Sequence, residues 1–263
     1  MSRPFRDGEK VLLFDRKGHQ YLLQLTDAGE FHSHFGVLPH ALIIGQPEGV
    51  KVNATKGGNY TAVRPTLSDF ILKMPRGAQV IYPKDLGPIL MIADIFPGAR
   101  VFESGIGSGA LSMTMLRAGA EITGYELRED FAINAQRNVA SFLGPEALER
   151  YQIQLRSSYD GIDESDFDRV VLDLPEPWQA VPHAAHALRP GGIFVSYSPS
   201  ILQSNQVTQA LRDNGFSMIE TVEFLLRGWH IEGMAVRPDH RMVAHTGFLT
   251  SGRLLNPPDG PIA

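Results

Sequence analysis

The sequence predicts an α/β fold built on a mostly parallel sheet and preceded by a small β domain. Three observations carry this. From about residue 99 onward, apolar runs of strand length alternate with runs of helical spacing, the pattern of consecutive βα units. At the head of that alternation, the apolar run Ala99–Phe102 meets Glu103, then glycines at 105, 107 and 109, then the amphipathic stretch 110–118. That order reads as strand, tight turn and helix N-terminus, where backbone N–H groups and the positive helix end can approach a ligand. Upstream of residue 65 the pattern is different, with short extended runs between glycine-containing turns.

In the first region, Val11–Phe14 and Tyr21–Leu25 flank the turn-prone Arg16-Lys-Gly-His19, a hairpin signal. Ala41–Ile44, Val50–Val52 and Tyr60–Val63 are further extended candidates. Small β domains of this kind close into barrels to protect their edges, so residues 1–64 are assigned to a barrel-like domain. A second domain is assigned to 65–255, and Thr66–Met74 has the spacing of a bridging helix. Gln79–Asp85 and a helical pattern over Leu86–Phe96 lead to the glycine turn. Strand two is Glu121–Glu126, and a helix follows over Arg128–Phe142. Tyr151–Leu155 is strand three; Phe167–Asp173 is strand four, with a helix over Trp178–Leu188. Ile193–Tyr197 is strand five, and Asn205–Asn214 a helix closed by Gly215. Ser217–Leu226 and Met242–Thr250 read as a long antiparallel pair, and 256–263, with three prolines, as a frayed tail.

Bulk properties narrow the function classes. The 263 residues exceed one average domain, and 43% hydrophobic with 20% charged residues suffices for a real core. The absence of cysteine excludes disulfides, thiolate metal sites and cysteine nucleophiles. No apolar signal-like core or bilayer-length run is present, so a cytoplasmic protein without membrane attachment is expected. A formal charge of −5 argues against a nonspecific nucleic-acid coat but leaves room for a local basic groove.

The glycine turn alone fits two cofactors. Gly105-x-Gly107-x-x-Ala110 matches a dinucleotide fingerprint, and Glu103-x-Gly105-x-Gly107-x-Gly109 matches the first motif of S-adenosylmethionine-dependent methyltransferases. Glu126, ending strand two, can accept from both ribose hydroxyls of either cofactor. Three features favour the sulfonium cofactor. Glu103 before the turn would repel a pyrophosphate but suits a cationic methionine end. About a hundred residues precede the motif. Strand four ends in Asp173-Leu-Pro-Glu-Pro-Trp178, a rigid acidic and aromatic rim like that of methyltransferases acting on exocyclic or ring nitrogens. The bland alternatives are a helix N-cap for Asp173 and core packing for Trp178. His32, His34 and His40 could converge on a metal, but no carboxylate completes such a site, and no metal is expected.

Several segments together resemble the tRNA (adenine-58-N1)-methyltransferases of the TrmI family. They are Phe31-His-Ser-His34 with Ile44-Gly45, Arg76–Asp85, Glu103–Gly109, Tyr125-Glu126, Asp173–Trp178, and the tail Arg227-Gly-Trp229, Arg237-Pro238 and His245–Leu249. The resemblance runs from about residue 10 to about residue 250. It implies a small N-terminal β domain, a Rossmann-like class I methyltransferase domain, a homotetramer, S-adenosylmethionine as cofactor and tRNA as substrate. It implies a cofactor set of Glu103, Ser104, Gly105, Ile106, Gly107, Ser108, Gly109, Glu126, Phe131, Ser157 and Asp173, with Asp173 and Tyr82 serving the target base. Ser157 stands where the family often carries an Asp against the cofactor's adenine, and Ser104 and Ile106 where it often has alanine or threonine. Arg16, Lys17, Lys51, Lys56, Arg227, Arg237 and Arg241 are candidate phosphate contacts. The competing functions are methylation of another RNA position or a small molecule, and a non-catalytic RNA-binding subunit.

Overall fold

The computed structural model describes residues 3–77 and 79–257. The chain divides into two compact units, at Met74/Pro75. In the first, β1 (Lys10–Asp15), β2 (Gln20–Gln24), β3 (Glu30–Ser33), β4 (Gly36–Pro39), β5 (Lys51–Asn53) and β6 (Asn59–Val63) precede α1 (Leu67–Lys73). They form a four-stranded sheet in the order β2-β1-β6-β5 and a separate β3–β4 hairpin. Alternating side chains from these strands, among them Val11, Leu13, Phe31, Leu38, Val52 and Tyr60, close one core. Each such fully buried side chain contributes roughly 1.5–3 kcal/mol. The division falls after α1 because this helix, started by a Thr66–Asp69 capping box, belongs with the first unit. One expected strand is absent. At Ala41–Ile44 the backbone turns instead, with Ile43 and Ile44 N–H both donating to the His40 carbonyl (2.9 and 3.0 Å). Only Ile43 of that run is buried, so no strand-like face was there to bury.

In the second unit, α2 (Pro83–Ile92) precedes β7 (Arg100–Ser104), α3 (Ala110–Arg117), β8 (Glu121–Glu126), α4 (Glu129–Leu143) and β9 (Tyr151–Leu155). Then come β10 (Phe167–Leu172), α5 (Val181–Ala187), β11 (Leu188–Ser198), α6 (Ile201–Asp213) and β12 (Phe216–Glu223). A hairpin of β13 (Trp229–Glu232) and β14 (Ala235–Pro238) leads to β15 (Phe248–Leu254). The seven-stranded sheet runs β12-β15-β11-β10-β7-β8-β9, parallel from β11 to β9, with β15 antiparallel between β11 and β12. The order reverses between β7 and β10, whose ends meet at Ser104 and Leu172. Among the described residues no helix is long and apolar enough to cross a membrane.

Several element boundaries differ from expectation; α2 ends at Ile92 rather than Phe96, and β11 begins at Leu188 rather than Ile193. The antiparallel partner of β12 lies later than Met242–Thr250, pairing Phe216 with Leu254 and Glu223 with Phe248. The intervening chain makes the β13–β14 hairpin, turned at Gly233 (φ 55°), and the isolated bridge Leu226–Val243 prolongs the pair outside the named strands. Helix α6 starts four residues early because Ser200 and Gln203 form a capping box. The stretch after strand four is a short 3-10 turn, Pro177–Ala180, before α5. Of the tail expected to fray, residues 258–263 lie outside the described residues.

Candidate active site

At the reversal point of an open α/β sheet, two loops diverge and leave a crevice at the strand ends. Here they are the glycine turn after β7 and the Asp173–Glu176 stretch after β10. They touch: Asp173 N–H donates to the Ser104 carbonyl (2.9 Å), and a Cβ on Gly105 would lie 1.9 Å from the Asp173 carbonyl oxygen. Gly105 also has φ +84°, so this position admits only glycine. Gly109, in the left-handed conformation at the N-cap of α3, packs on the Ala135 backbone of α4. The buried Asn138 amide donates to the Ser108 and Pro75 carbonyls (3.0 and 3.1 Å), tying the turn to the segment before α2.

The crevice is a cavity of about 640 Å³. Its walls include Ser104, Gly105, Gly107, Glu126, Phe131, Ser157 and Asp173 from the expected cofactor set. Glu126 is nearly buried and accepts from Gly107 N–H (3.1 Å) and Arg128 N–H (3.0 Å), which leaves lone pairs on both oxygens for a ligand. Arg128 lies over the Phe131 ring, 3.7 Å from its centroid. Ser157 accepts from Tyr159 N–H (3.1 Å), and Ser104 and Ser158 hydroxyls bond each other (2.9 Å).

The remaining members of that set lie elsewhere. Ile106 and Ser108 face a narrow neighbouring space beyond the turn, and Gly109 is the helix cap. Glu103 is fully buried and is not among the residues lining the crevice. Neither of its carboxylate oxygens has a hydrogen-bond partner. Burial pushes its carboxyl up to about 8, with Asp173 and Glu126 adding to the rise and neighbouring Ser112 opposing it.

A second cavity, of about 390 Å³, shares Gln79, Asp173 and Pro199 with the first. Val80, Ile81, Tyr82, Tyr197, His245 and Thr246 complete its lining. Asp173 thus stands at the junction, and burial pushes its carboxyl up to about 7. It caps no helix; the 3-10 turn is preceded by Glu176 in that position. Tyr82 precedes the first turn of α2. The Tyr197 hydroxyl donates to the Thr246 carbonyl (2.6 Å), and Thr246 donates to the buried Asp85 (2.7 Å), itself paired with Lys84 (2.7 Å). Trp178 packs against the core that contains Val181 and Phe194, away from both cavities.

Sequence reasoning missed Gln79, Tyr197, Pro199, Gln203, His245 and Thr246 as site residues. For Gln203 a signal existed, the Ser200-x-x-Gln203 capping pattern; its amide also donates to the Pro175 carbonyl (2.7 Å). In the first unit His40 is buried and accepts from Thr26 N–H (3.1 Å), His34 stacks on Phe35 and His32 faces Glu30 (3.2 Å). Among the described residues no group of three or more His, Cys, Asp or Glu could hold a metal.

A parallel sheet with a glycine turn at its reversal point, an acidic end to the second strand and an acidic rim on the fourth defines a class I S-adenosylmethionine-dependent methyltransferase fold. Solved structures agree. The chain is similar to a SAM-dependent O-methyltransferase from Thermotoga maritima (TM-score 0.91, 30% identity, 97% of this chain and 96% of that one). It is also similar to tRNA (m1A58) methyltransferase TrmI from Aquifex aeolicus (TM-score 0.84, 29% identity, 97% and 100%). The family model described as tRNA methyltransferase complex GCD14 subunit matches residues 60–237, and one described as TrmI-like N-terminal matches 4–52. The chain belongs to this tRNA methyltransferase family. Among its relatives, tRNA (adenine(58)-N(1))-methyltransferase TrmI from Thermus thermophilus is 35% identical over 246 residues (92% of this chain, 96% of the relative). The tRNA (adenine(57)-N(1)/adenine(58)-N(1))-methyltransferase TrmI from Methanocaldococcus jannaschii is 34% identical over 275 residues (94% and 95%).

Proposed function

We propose that this chain, working as a homotetramer, transfers the methyl group of S-adenosylmethionine to N1 of adenosine 58 in the T-loop of tRNA. One observation carries the reading: two adjoining cavities meet at Asp173, one beside the glycine turn and one lined by aromatic side chains. The residues fit the cofactor. Glu126 offers a carboxylate for ribose hydroxyls, and Phe131 and Leu127 line the same cavity with apolar surface that suits an adenine ring. Ser157 offers the adenine only a neutral hydroxyl. When bound, S-adenosylmethionine supplies an electrophilic methyl group on a sulfonium sulfur.

Adenine N1 carries a lone pair and no proton, so no base is needed before attack. As the N1–methyl bond forms and the methyl–sulfur bond breaks, positive charge passes to the adenine ring. Asp173, as the carboxylate, accepts a hydrogen bond from the N6 amino group and stabilises that charge. Tyr82 walls the base cavity. A T-loop adenine is buried in folded tRNA, so it must be extruded at a cost of a few kcal/mol, repaid by phosphate contacts from basic side chains. Incubation with unmodified tRNA and methyl-labelled cofactor, followed by nucleoside analysis, is expected to yield 1-methyladenosine at position 58. Label in a ribose oxygen, in another base or in no nucleoside overturns the assignment.

A further inference from the structure

The imidazole of His245, on the lining of the second cavity, has an acceptor at each nitrogen. Nδ1 is 2.7 Å from the Glu223 carboxylate at the end of β12, and Nε2 is 2.9 Å from the Pro199 carbonyl. A carbonyl oxygen cannot donate, and neither can an ionised carboxylate. Both contacts are satisfied together only when both ring nitrogens carry protons. Pro199 lies between β11 and α6 and is a wall common to both cavities; the next residue, Ser200, caps α6. From the same helix, Gln203 reaches the Pro175 carbonyl two residues beyond Asp173 (2.7 Å). The chain of contacts therefore runs Glu223, His245, Pro199, α6, Gln203, Pro175.

We propose that His245, held as a doubly protonated imidazolium between Glu223 and the Pro199 carbonyl, is a positioning residue that fixes the wall between cofactor and target base. This rests on the assignment of tRNA methylation above. The side chains are half-exposed (50% and 32%), so the ion pair itself adds little stability. Its consequence is geometric. On deprotonation one nitrogen loses its hydrogen, one of the two contacts becomes a repulsion between lone pairs, and the Pro199 backbone is released.

The charged surroundings favour the protonated ring. Glu223 first and the Pro199 carbonyl second raise its pKa above the ordinary histidine value, against smaller opposing effects of desolvation and then of Lys84. Lys84, from α2, is neutralised by Asp85 and also donates to the Phe224 carbonyl (2.6 Å). Asp85 reaches this corner through Thr246, while Phe248 flanks the ring at 5.0 Å. Asp173, Tyr82 and Tyr197 complete the ionisable groups on the cavity.

The test compares pH profiles of kcat/KM for tRNA, at saturating cofactor, in the wild type, Glu223→Gln and His245→Ala. The wild type is expected to lose activity on the alkaline side as His245 deprotonates. In Glu223→Gln a neutral ring satisfies both neighbours, donating from Nε2 to Pro199 and accepting at Nδ1 from the glutamine amide, so the alkaline limb should disappear. His245→Ala should lose about tenfold in kcat/KM at neutral pH and lack that limb. An unchanged alkaline limb in Glu223→Gln, or wild-type kcat/KM in His245→Ala, overturns the proposal. A readout independent of activity is selective 15N labelling of histidine: both His245 nitrogens should be protonated near neutral pH, and a neutral tautomer there is equally fatal. If 1-methyladenosine forms and these signatures are absent, only the positioning role fails; if none forms, the methylation reading fails.

Discussion

The two adjoining cavities share Gln79, Asp173 and Pro199 but are otherwise lined by different elements. The larger is centred on Ser104, Gly105 and Gly107 of the turn, the end of β8 with the residues that follow it, the loop after β9 and the Asp173–Pro175 loop. Its shape depends on the absence of side chains, as at Gly105. The smaller draws on four separated stretches, 79–82, Asp173, 197–199 and 245–246, and among its lining Asp173, Tyr82, Tyr197, His245 and Thr246 carry groups that titrate or donate. A pocket for one invariant ligand can rely on close approach at a glycine turn, whereas recognition and charge stabilisation of a base require placed side chains. Asp173 belongs to both, so changes around it should separate binding from turnover.

Asp173→Ala carries the largest expected effect. Turnover should fall by about three orders of magnitude, while S-adenosylhomocysteine affinity, read by calorimetry, changes only about threefold. Comparable losses in both would merge the two cavities into one functional unit. The wild type should also show an acid limb. Because burial raises this carboxyl to about 7, the required carboxylate forms as pH rises through that value. Thus kcat/KM for the cofactor should climb up to about tenfold per pH unit below 7 and level above it. A profile flat from pH 5 to about 8 would remove the carboxylate from its role.

Gly105→Ala should act on the larger cavity, because the added methyl collides with the Asp173 carbonyl and forces the two loops apart. Cofactor affinity should fall by about a hundredfold, the order expected when a positive-φ close approach is lost. Calorimetry on the folded variant checks it. Glu126→Gln is milder, since one amide oxygen still accepts; affinity for S-adenosylhomocysteine should fall roughly tenfold, and kcat at saturating cofactor should stay within about twofold.

The smallest effect is on stability. A folded-state pKa raised above its unfolded value means Glu103 stabilises fully only below its ordinary carboxylate range, and that contribution is lost as pH rises towards about 8. Glu103→Gln keeps the shape without the ionisation. Its melting temperature relative to the wild type should therefore rise between about pH 5 and 8, by a few degrees at the upper end. An equal pH dependence in both proteins would show that this carboxylate is not the buried acid.

The glycine turn, Glu126 at the end of the second strand and the Asp173–Trp178 rim were legible in sequence because strand–turn–helix units are local, with their chemistry at fixed offsets. The family resemblance came from such stretches. The run at Ala41–Ile44 misled for the converse reason: an apolar run of strand length says nothing about whether a neighbour exists to pair with it. The 248–254 register of β15 was likewise invisible, since pairing of residues so far apart in the chain, from Glu223 with Phe248 to Phe216 with Leu254, is decided by the sheet.

By itself, then, the sequence determined the class of fold, the glycine turn and the acidic residue that ends the fourth strand of the alternation, all consequences of short-range spacing. Only the tertiary structure decided that Glu103 is sealed without a partner, that Trp178 belongs to the core, and that Tyr197, Pro199 and His245 meet Tyr82 and Asp173 around a second cavity. Burial and convergence depend on which distant elements pack together, and no local pattern encodes them.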